Sequence, residues 1–284
     1  MSEEIKKRIF LVGAARSGTT LLQSLITAHS EIFTFPETHF FTKTIPMRRS
    51  KRQLWRFKSK NVEIVKEFLA NIKYDDEPEK LLNKLNINTW SLKEWTDSLL
   101  AILDRVTLKN GFSIWLEKTP AHLRYIHLIT RRKPETHFIH IIRNGEDVIA
   151  SLYEATHEHT EKWGTARSID NCIIRWRRDI SISKGHLNKK NHSFVLYEEL
   201  VERPNEMIMK LCEDLQLPFE EEMMEKYKDQ ASKIVLSDEA WKDNTAKDLA
   251  KRSKFNKVFT EEEQHYIKEK IKDIDISIFS QFTN

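Results

Sequence analysis

Ile9-Phe10-Leu11-Val12-Gly13-Ala14-Ala15-Arg16-Ser17-Gly18-Thr19-Thr20-Leu21-Leu22-Gln23-Ser24-Leu25-Ile26 is the stretch that decides the fold class. Four apolar residues in a row, ended by Gly13, read as a buried strand. The small residues after them read as a loop, and the leucines from Leu21 onward have helical character. Strand, loop and helix in that order bring backbone N–H groups and a helix N-terminus around one point, a cradle for an anion. The same order returns at His137-Phe138-Ile139-His140-Ile141-Ile142, which turns through Arg143-Asn144-Gly145 into a helix from Glu146 to about Tyr153. Ser193-Phe194-Val195-Leu196-Tyr197 predicts a third strand, followed by a helix over 205–215 entered at Pro204. Unbroken apolar strands, each followed by a helix, predict an α/β fold of three layers: a central parallel sheet flanked by helices.

Between the first two units lie about a hundred residues of helical pattern, clearest at 62–72 and 92–106, which predict a helical insertion over about 45–110 that caps the sheet edge. Residues 169–187 read as another long helix, and Thr260-Glu261-Glu262-Glu263 opens a last one with a threonine cap and an acidic first turn. The length of 284 residues suits a single domain over 1–284. An apolar fraction of 39%, 32% charged residues, six glycines and seven prolines exclude a disordered or low-complexity chain. No apolar run approaches the length of a bilayer and the start is charged, so a cytoplasmic protein without a stable membrane anchor is expected. The two cysteines, Cys172 and Cys212, fall in helical segments and are expected to pack in the core. A net charge of +4 suits an anionic ligand; nucleic acid is not expected as a partner. The basic clusters at 47–52 and Arg175-Trp176-Arg177-Arg178 read as solvated helix faces.

Set against the nucleotide-loop pattern G-x-x-x-x-G-K-[ST], the first loop keeps Gly13, Gly18 and the hydroxyl of Thr20, but Thr19 replaces the lysine that reaches β- and γ-phosphates. That change argues against a P-loop phosphotransferase such as a kinase, which stays as an alternative beside a catalytically silent nucleotide-binding protein. One 5′-phosphate needs no Mg²⁺ between phosphates, so Arg16 and the two threonine hydroxyls suffice. No Asp-rich or His/Cys ligand cluster accompanies the loop, and no metal is expected. Arg143 closes the second strand and Ser151 follows eight residues later on a helix, so the two can converge on a second phosphate, apart from the first loop. Arg143 can equally pair with Asp147.

Arg16-Ser17-Gly18-Thr19-Thr20-Leu21-Leu22 after one strand, and Ile142-Arg143 with Ser151-Leu152 after another, resemble the 5′-phosphosulfate and 3′-phosphate motifs of the sulfotransferases that use 3′-phosphoadenosine 5′-phosphosulfate (PAPS). Phe35-Pro36-Glu37-Thr38-His39-Phe40-Phe41 and Trp115-Leu116-Glu117-Lys118-Thr119-Pro120 resemble the branch that includes tyrosylprotein sulfotransferases and many bacterial enzymes. Order and spacing match over most of residues 8–215. After about residue 230 the resemblance fades, although Arg252-Ser253-Lys254 stands where the family closes a loop over the donor.

The resemblance implies a P-loop-like α/β fold and transfer of a sulfuryl group from PAPS to an acceptor hydroxyl or amine, leaving 3′-phosphoadenosine 5′-phosphate (PAP). It implies that Ser17, Gly18, Thr19 and Thr20 hold the phosphosulfate, Arg143 and Ser151 the 3′-phosphate, and that Tyr197 fixes the nucleotide. The candidate cations at the leaving oxygen are Arg16 and Lys118. Lys118 reads as part of a polar segment just after the strand-like Phe112-Ser113-Ile114-Trp115-Leu116, with Glu117 as a competing ion-pair partner. An acceptor hydroxyl must lose its proton as it attacks. The resemblance assigns that proton to Glu37, with His39 and His122 as competing bases, the latter because other sulfotransferases use a histidine near this lysine. The acceptor stays open among small molecule, carbohydrate, lipid and peptide, and so does the oligomeric state.

Overall fold

In the computed structural model, which describes residues 4–47, 61–72, 81–83, 85, 91–234, 249 and 253–281, five strands form one parallel sheet. They are β1 (Lys7–Gly13), β2 (Ile32–Thr34), β3 (Ile114–Lys118), β4 (His137–Ile142) and β5 (His192–Leu196). Their spatial order is β2-β3-β1-β4-β5. Because strand side chains alternate, each strand serves both faces. Phe10, Trp115 and Phe138 point into one apolar cluster, whereas Ile9, Leu11, Leu116, Ile139 and Val195 point into another. Both faces are covered, which is why the strands read as continuous apolar runs.

On the second face lie α1 (Thr19–Ile26) and, later in the chain, helices at Pro204–Asp214 and Met223–Ile234. On the first lie α2 (Phe40–Thr44), α3 (Asn61–Asn71), α4 (Leu92–Lys109), a 3₁₀ turn (Pro120–Tyr125) and α5 (Ile126–Arg132). Beyond β4 come α6 (Gly145–Glu158), α7 (Thr160–Trp163) and α8 (Ile169–Lys184). After β5 follow α9 (Tyr197–Glu202), α10 (Pro204–Asp214), α11 (Met223–Ile234), α12 (Phe255–Val258) and α13 (Glu261–Ile271). Thr260 caps α13 in a full capping box with Glu263, as its sequence indicates. Cys172 and Cys212 are buried and unbridged.

Three local expectations are corrected. The described part of the 45–110 insertion does not sit over the sheet edge. It packs on a sheet face, where Asp104 of α4 takes a hydrogen bond from Trp115 Nε1 at 2.9 Å and an ion pair from Arg8 at 2.7 Å. The edge is instead formed by β2, three residues too short to carry a period-two signal. Lys118 is the last residue of β3 rather than part of a following segment. Tyr197 opens α9 rather than ending β5. Residues 48–52 and Arg252 lie outside the described residues. Among the described residues, no helix is long and apolar enough to cross a membrane.

Candidate active site

Parallel pairing sets three strand ends side by side. Leu11 of β1 lies opposite Lys118 of β3, and Gly13 lies opposite Ile141 of β4, two residues before Arg143. Lys118, the Gly13–Gly18 loop and Arg143 therefore share the carboxyl edge of the sheet, where ligands of open α/β sheets bind. Gly13 is fixed by close approach, since a Cβ there would stand 2.5 Å from the Ile141 carbonyl oxygen.

In the loop, Arg16 adopts a left-handed φ of 74° and Gly18 a φ of 90° at the N-cap of α1. A side chain at Gly18 would strike the Tyr197 ring at 2.5 Å, so the tyrosine packs directly on the loop. The Ser17 hydroxyl is buried and bonds to no protein atom, an arrangement that suits an anion seated on the loop. No side chain caps α1, which leaves its first N–H groups to a ligand.

The residues expected at two separate anion sites are in contact with one another. Arg16 Nε donates to Ser151 Oγ at 3.1 Å, and Arg143 Nη1 to the Arg16 carbonyl at 3.4 Å. Ser151 thus meets the arginine of the first loop, because α6 starts from the strand next to β1. Arg16, Ser151 and Arg143 form one continuous surface. Arg143 also lies 3.7 Å from Asp147 and stacks on the Tyr197 ring at 4.1 Å.

Glu37 reaches the same edge from the loop after β2. Its Oε1 accepts from Lys118 Nζ at 2.5 Å, and its Oε2 stands 3.4 Å from His39 Nε2. The Lys118 side chain is 3% exposed and that of Glu37 17%, so the carboxylate is the partner nearer solvent. Desolvation holds His39 below the ordinary imidazole range despite the attraction of Glu37, so at neutral pH Lys118 is the main counter-ion.

Glu117 does not pair with Lys118, since neighbouring strand residues point to opposite faces. It is fully buried and holds the Glu37 loop from behind. It accepts from Thr38 N (3.3 Å), Thr38 Oγ1 (2.9 Å), Thr119 Oγ1 (2.5 Å) and His122 Nδ1 (2.8 Å). Burial pushes its carboxyl up, but His122, Thr119 and Thr38 together outweigh that and keep it ionised below the usual range. His122, also fully buried, receives the Phe41 N–H on Nε2 at 3.4 Å. Both ring nitrogens are thus engaged inside the protein, Nδ1 with Glu117 and Nε2 with the Phe41 N–H. His122, expected as the alternative base, thus stands fully buried behind the loop that carries Glu37.

Sequence reasoning passed over Glu117 as part of the site. An acid inside a strand buried at all five positions was the signal available. Among the described residues, no group of three or more histidines, cysteines or carboxylates could hold a metal ion.

A family model described as "Sulfotransferase family" matches residues 8–221. An uncharacterized protein of Aquifex aeolicus is 28% identical over 244 residues, covering 78% of this chain and 27% of that protein. A putative protein-tyrosine sulfotransferase of Caenorhabditis briggsae is 21% identical over 243 residues, covering 84% of this chain and 76% of that protein. The chain thus spans about a quarter of the first relative. A mouse sulfotransferase solved in complex with PAP shares the fold at a TM-score of 0.58 and 14% identity, covering 97% of this chain and 87% of that one.

Proposed function

The chain belongs to the sulfotransferase family, and on that premise we propose that it transfers the sulfuryl group of PAPS to an acceptor hydroxyl or amine. One observation carries the reading: Glu37 and Lys118, paired at 2.5 Å, stand at a strand end beside the anion loop. The mouse enzyme solved with PAP supports the nucleotide. So does the fit of the loop, with its buried Ser17 hydroxyl, the capless start of α1 and the Tyr197 ring laid on Gly18.

In this reading the N–H groups of Ser17, Gly18, Thr19 and Thr20 and the threonine hydroxyls hold the 5′-phosphosulfate. Arg143, flattened on Tyr197, and the Arg16–Ser151 pair hold the 3′-phosphate side. The acceptor O–H gives its proton to Glu37 as its oxygen forms the new S–O bond. The bond from sulfur to the phosphate oxygen breaks, and Lys118 neutralises the charge left on that oxygen. Proton loss and leaving-group charge are thus handled by two groups already in contact. As Glu37 becomes neutral, the Lys118 ammonium is released from its counter-ion at the moment the phosphate oxygen becomes negative.

The test is incubation with isotopically labelled PAPS and a panel of phenols, sugars, lipid headgroups and tyrosine peptides, read by mass spectrometry. Label should pass to at least one class. PAPS affinity should be unchanged in EDTA, and its loss on chelation would favour the phosphotransferase reading instead.

A further inference from the structure

Helix α1 opens directly on the anion loop, and one turn along it stands Gln23, a fully buried amide. A helix face packed on a sheet is ordinarily apolar, as Leu21, Leu22, Leu25 and Ile26 of the same helix are. The Gln23 side chain instead bonds to other elements. Its Nε2 donates to Thr34 Oγ1 at 2.9 Å and to the Phe35 carbonyl at 3.2 Å. Thr34 Oγ1 in turn donates to the Leu116 carbonyl at 2.9 Å. Both groups facing the amide nitrogen accept from it, which fixes the orientation of the amide.

Each end of this chain of bonds stops short of a group already placed in the site. Gln23 lies one turn after Thr19, in a helix whose first turn has no side-chain cap. Phe35 lies just before Pro36 and Glu37, and Leu116 just before Glu117 and Lys118. One amide thus joins the helix behind the anion loop, the loop that carries Glu37 and the strand that carries Lys118. Glu117 and Lys118 brace the Glu37 loop at Thr38 and at Glu37 itself. Gln23 braces it on the amino-terminal side, and does so from α1.

Stability alone does not account for an amide at this position. Gln23 Oε1 is buried and accepts from no protein atom, and a buried carbonyl oxygen without a partner is destabilising. Methionine, unbranched and of similar length, would fill the space without that cost. What methionine could not do is hold Thr34 and Phe35 at a set distance from α1.

We propose that Gln23 is a positioning residue of sulfuryl transfer, holding the Glu37 loop at a fixed spacing from the phosphosulfate seated at the start of α1. The proposal deepens the sulfotransferase reading and rests on it. In-line transfer requires the acceptor oxygen, the sulfur and the leaving oxygen to be aligned, and a misplacement of about 1 Å set from a distance costs on the order of a hundredfold in rate.

The test is Gln23→Met in the full-length protein. With the acceptor class that takes label from PAPS, turnover at saturating PAPS should fall roughly 10–100-fold. PAP should bind within about threefold of wild type, because the loop N–H groups and Arg143 are untouched. Melting temperature should stay within about 2 °C, because the unpartnered Oε1 disappears together with the two bonds. Thr34→Val interrupts the same chain at its middle and should also slow turnover, and the double variant should lose no more than the larger single loss. The Thr38 N–H, held by Glu117, and the His39 N–H, held by Thr119, report on the loop, and their hydrogen exchange should quicken in both single variants.

Turnover of Gln23→Met within threefold of wild type overturns the proposal. A joint fall of rate, PAP affinity and melting temperature makes Gln23 a packing residue and overturns it equally, as do losses that multiply in the double variant. Exchange needs no acceptor, so unchanged exchange at Thr38 and His39 breaks the link whether or not label passes in wild type. If wild type neither binds PAP nor passes label, the sulfotransferase reading itself fails and the catalytic role of Gln23 falls with it.

Discussion

Replacing Glu37 with Gln separates binding from chemistry. The amide keeps the size of the side chain and an oxygen that can accept from Lys118, so a charge-to-charge hydrogen bond at 2.5 Å becomes a charge-to-neutral one. For a carboxylate still 17% exposed, that exchange costs about 1 kcal/mol of stability. In a chain of this length it is a fall of about 2–4 °C in melting temperature. Lys118 loses its negative partner, so PAPS and PAP should bind as tightly as to wild type or more tightly. The acceptor proton, however, has nowhere to go, and turnover should fall by roughly 10²–10⁴-fold, or about 2.7–5.4 kcal/mol in the barrier. Calorimetry with PAP, a thermal melt and single-turnover mass spectrometry measure the three quantities on one preparation. His39→Ala is the control, expected to lose less than tenfold. If Glu37→Gln turns over within tenfold of wild type, or loses donor affinity in step with rate, Glu37 is a loop residue and not the base.

Three further outcomes follow from other contacts in the structure. Glu117→Gln sets an amide N–H₂ against donors from Thr38, Thr119 or His122 and should cost about 1–3 kcal/mol of stability. It should also lower kcat with PAP affinity kept, because the loop that positions Glu37 loosens; unchanged kcat would make Glu117 purely structural. Arg143→Ala should reduce the preference for nucleotides with a 3′-phosphate over those without by roughly 10–150-fold in calorimetry, and an undiminished preference would put that phosphate elsewhere. Stability should decline as pH falls from about 6.5 toward 4. His140 Nε2 lies 2.9 Å from His192 Nδ1, and His186 stacks on His192 at 4.5 Å. Burial first, then neighbouring charges, lowers His192 to about 3 and His186 to about 4, with His140 well below its ordinary value. Their folded pKa values lie under the unfolded one, so the unfolded chain takes up protons first and is favoured below pH 6.5. Melting temperature against pH measures this, and a flat profile between 6.5 and 4.5 would contradict it.

What the sequence made legible was whatever rests on local pattern. The Gly13–Gly18 loop, β4 with its turn through Arg143, and the capping box at Thr260 follow from residues adjacent in the chain, and each stands where the pattern puts it. What escaped depends on which strands become neighbours. Ser151 belongs with Arg16 because β4 pairs with β1, a register that no short window of sequence contains. The three-residue β2 is likewise held by its pairing with β3 and by Gln23, whose Nε2 donates to Thr34 Oγ1 at 2.9 Å.

Glu117 and Lys118 show the same division at the scale of two residues. Taken as a dipeptide they read as an ion pair, with His122 free to act as a base. Placed in a strand, they are sent to opposite faces. Lys118 meets Glu37 at the carboxyl edge of the sheet, and Glu117 turns inward to Thr38, Thr119 and His122. Residues 117 and 118 thus act on the loop carrying Glu37 from two sides, the carboxylate fixing its backbone at Thr38 and the ammonium fixing its side chain. A buried acid beside a buried base in one strand is costly unless each finds its own partner. Here both partners lie on the same seven-residue stretch, Phe35-Pro36-Glu37-Thr38-His39-Phe40-Phe41. The strand end and that loop therefore form one unit, and displacing either element would carry Glu37 away from Lys118.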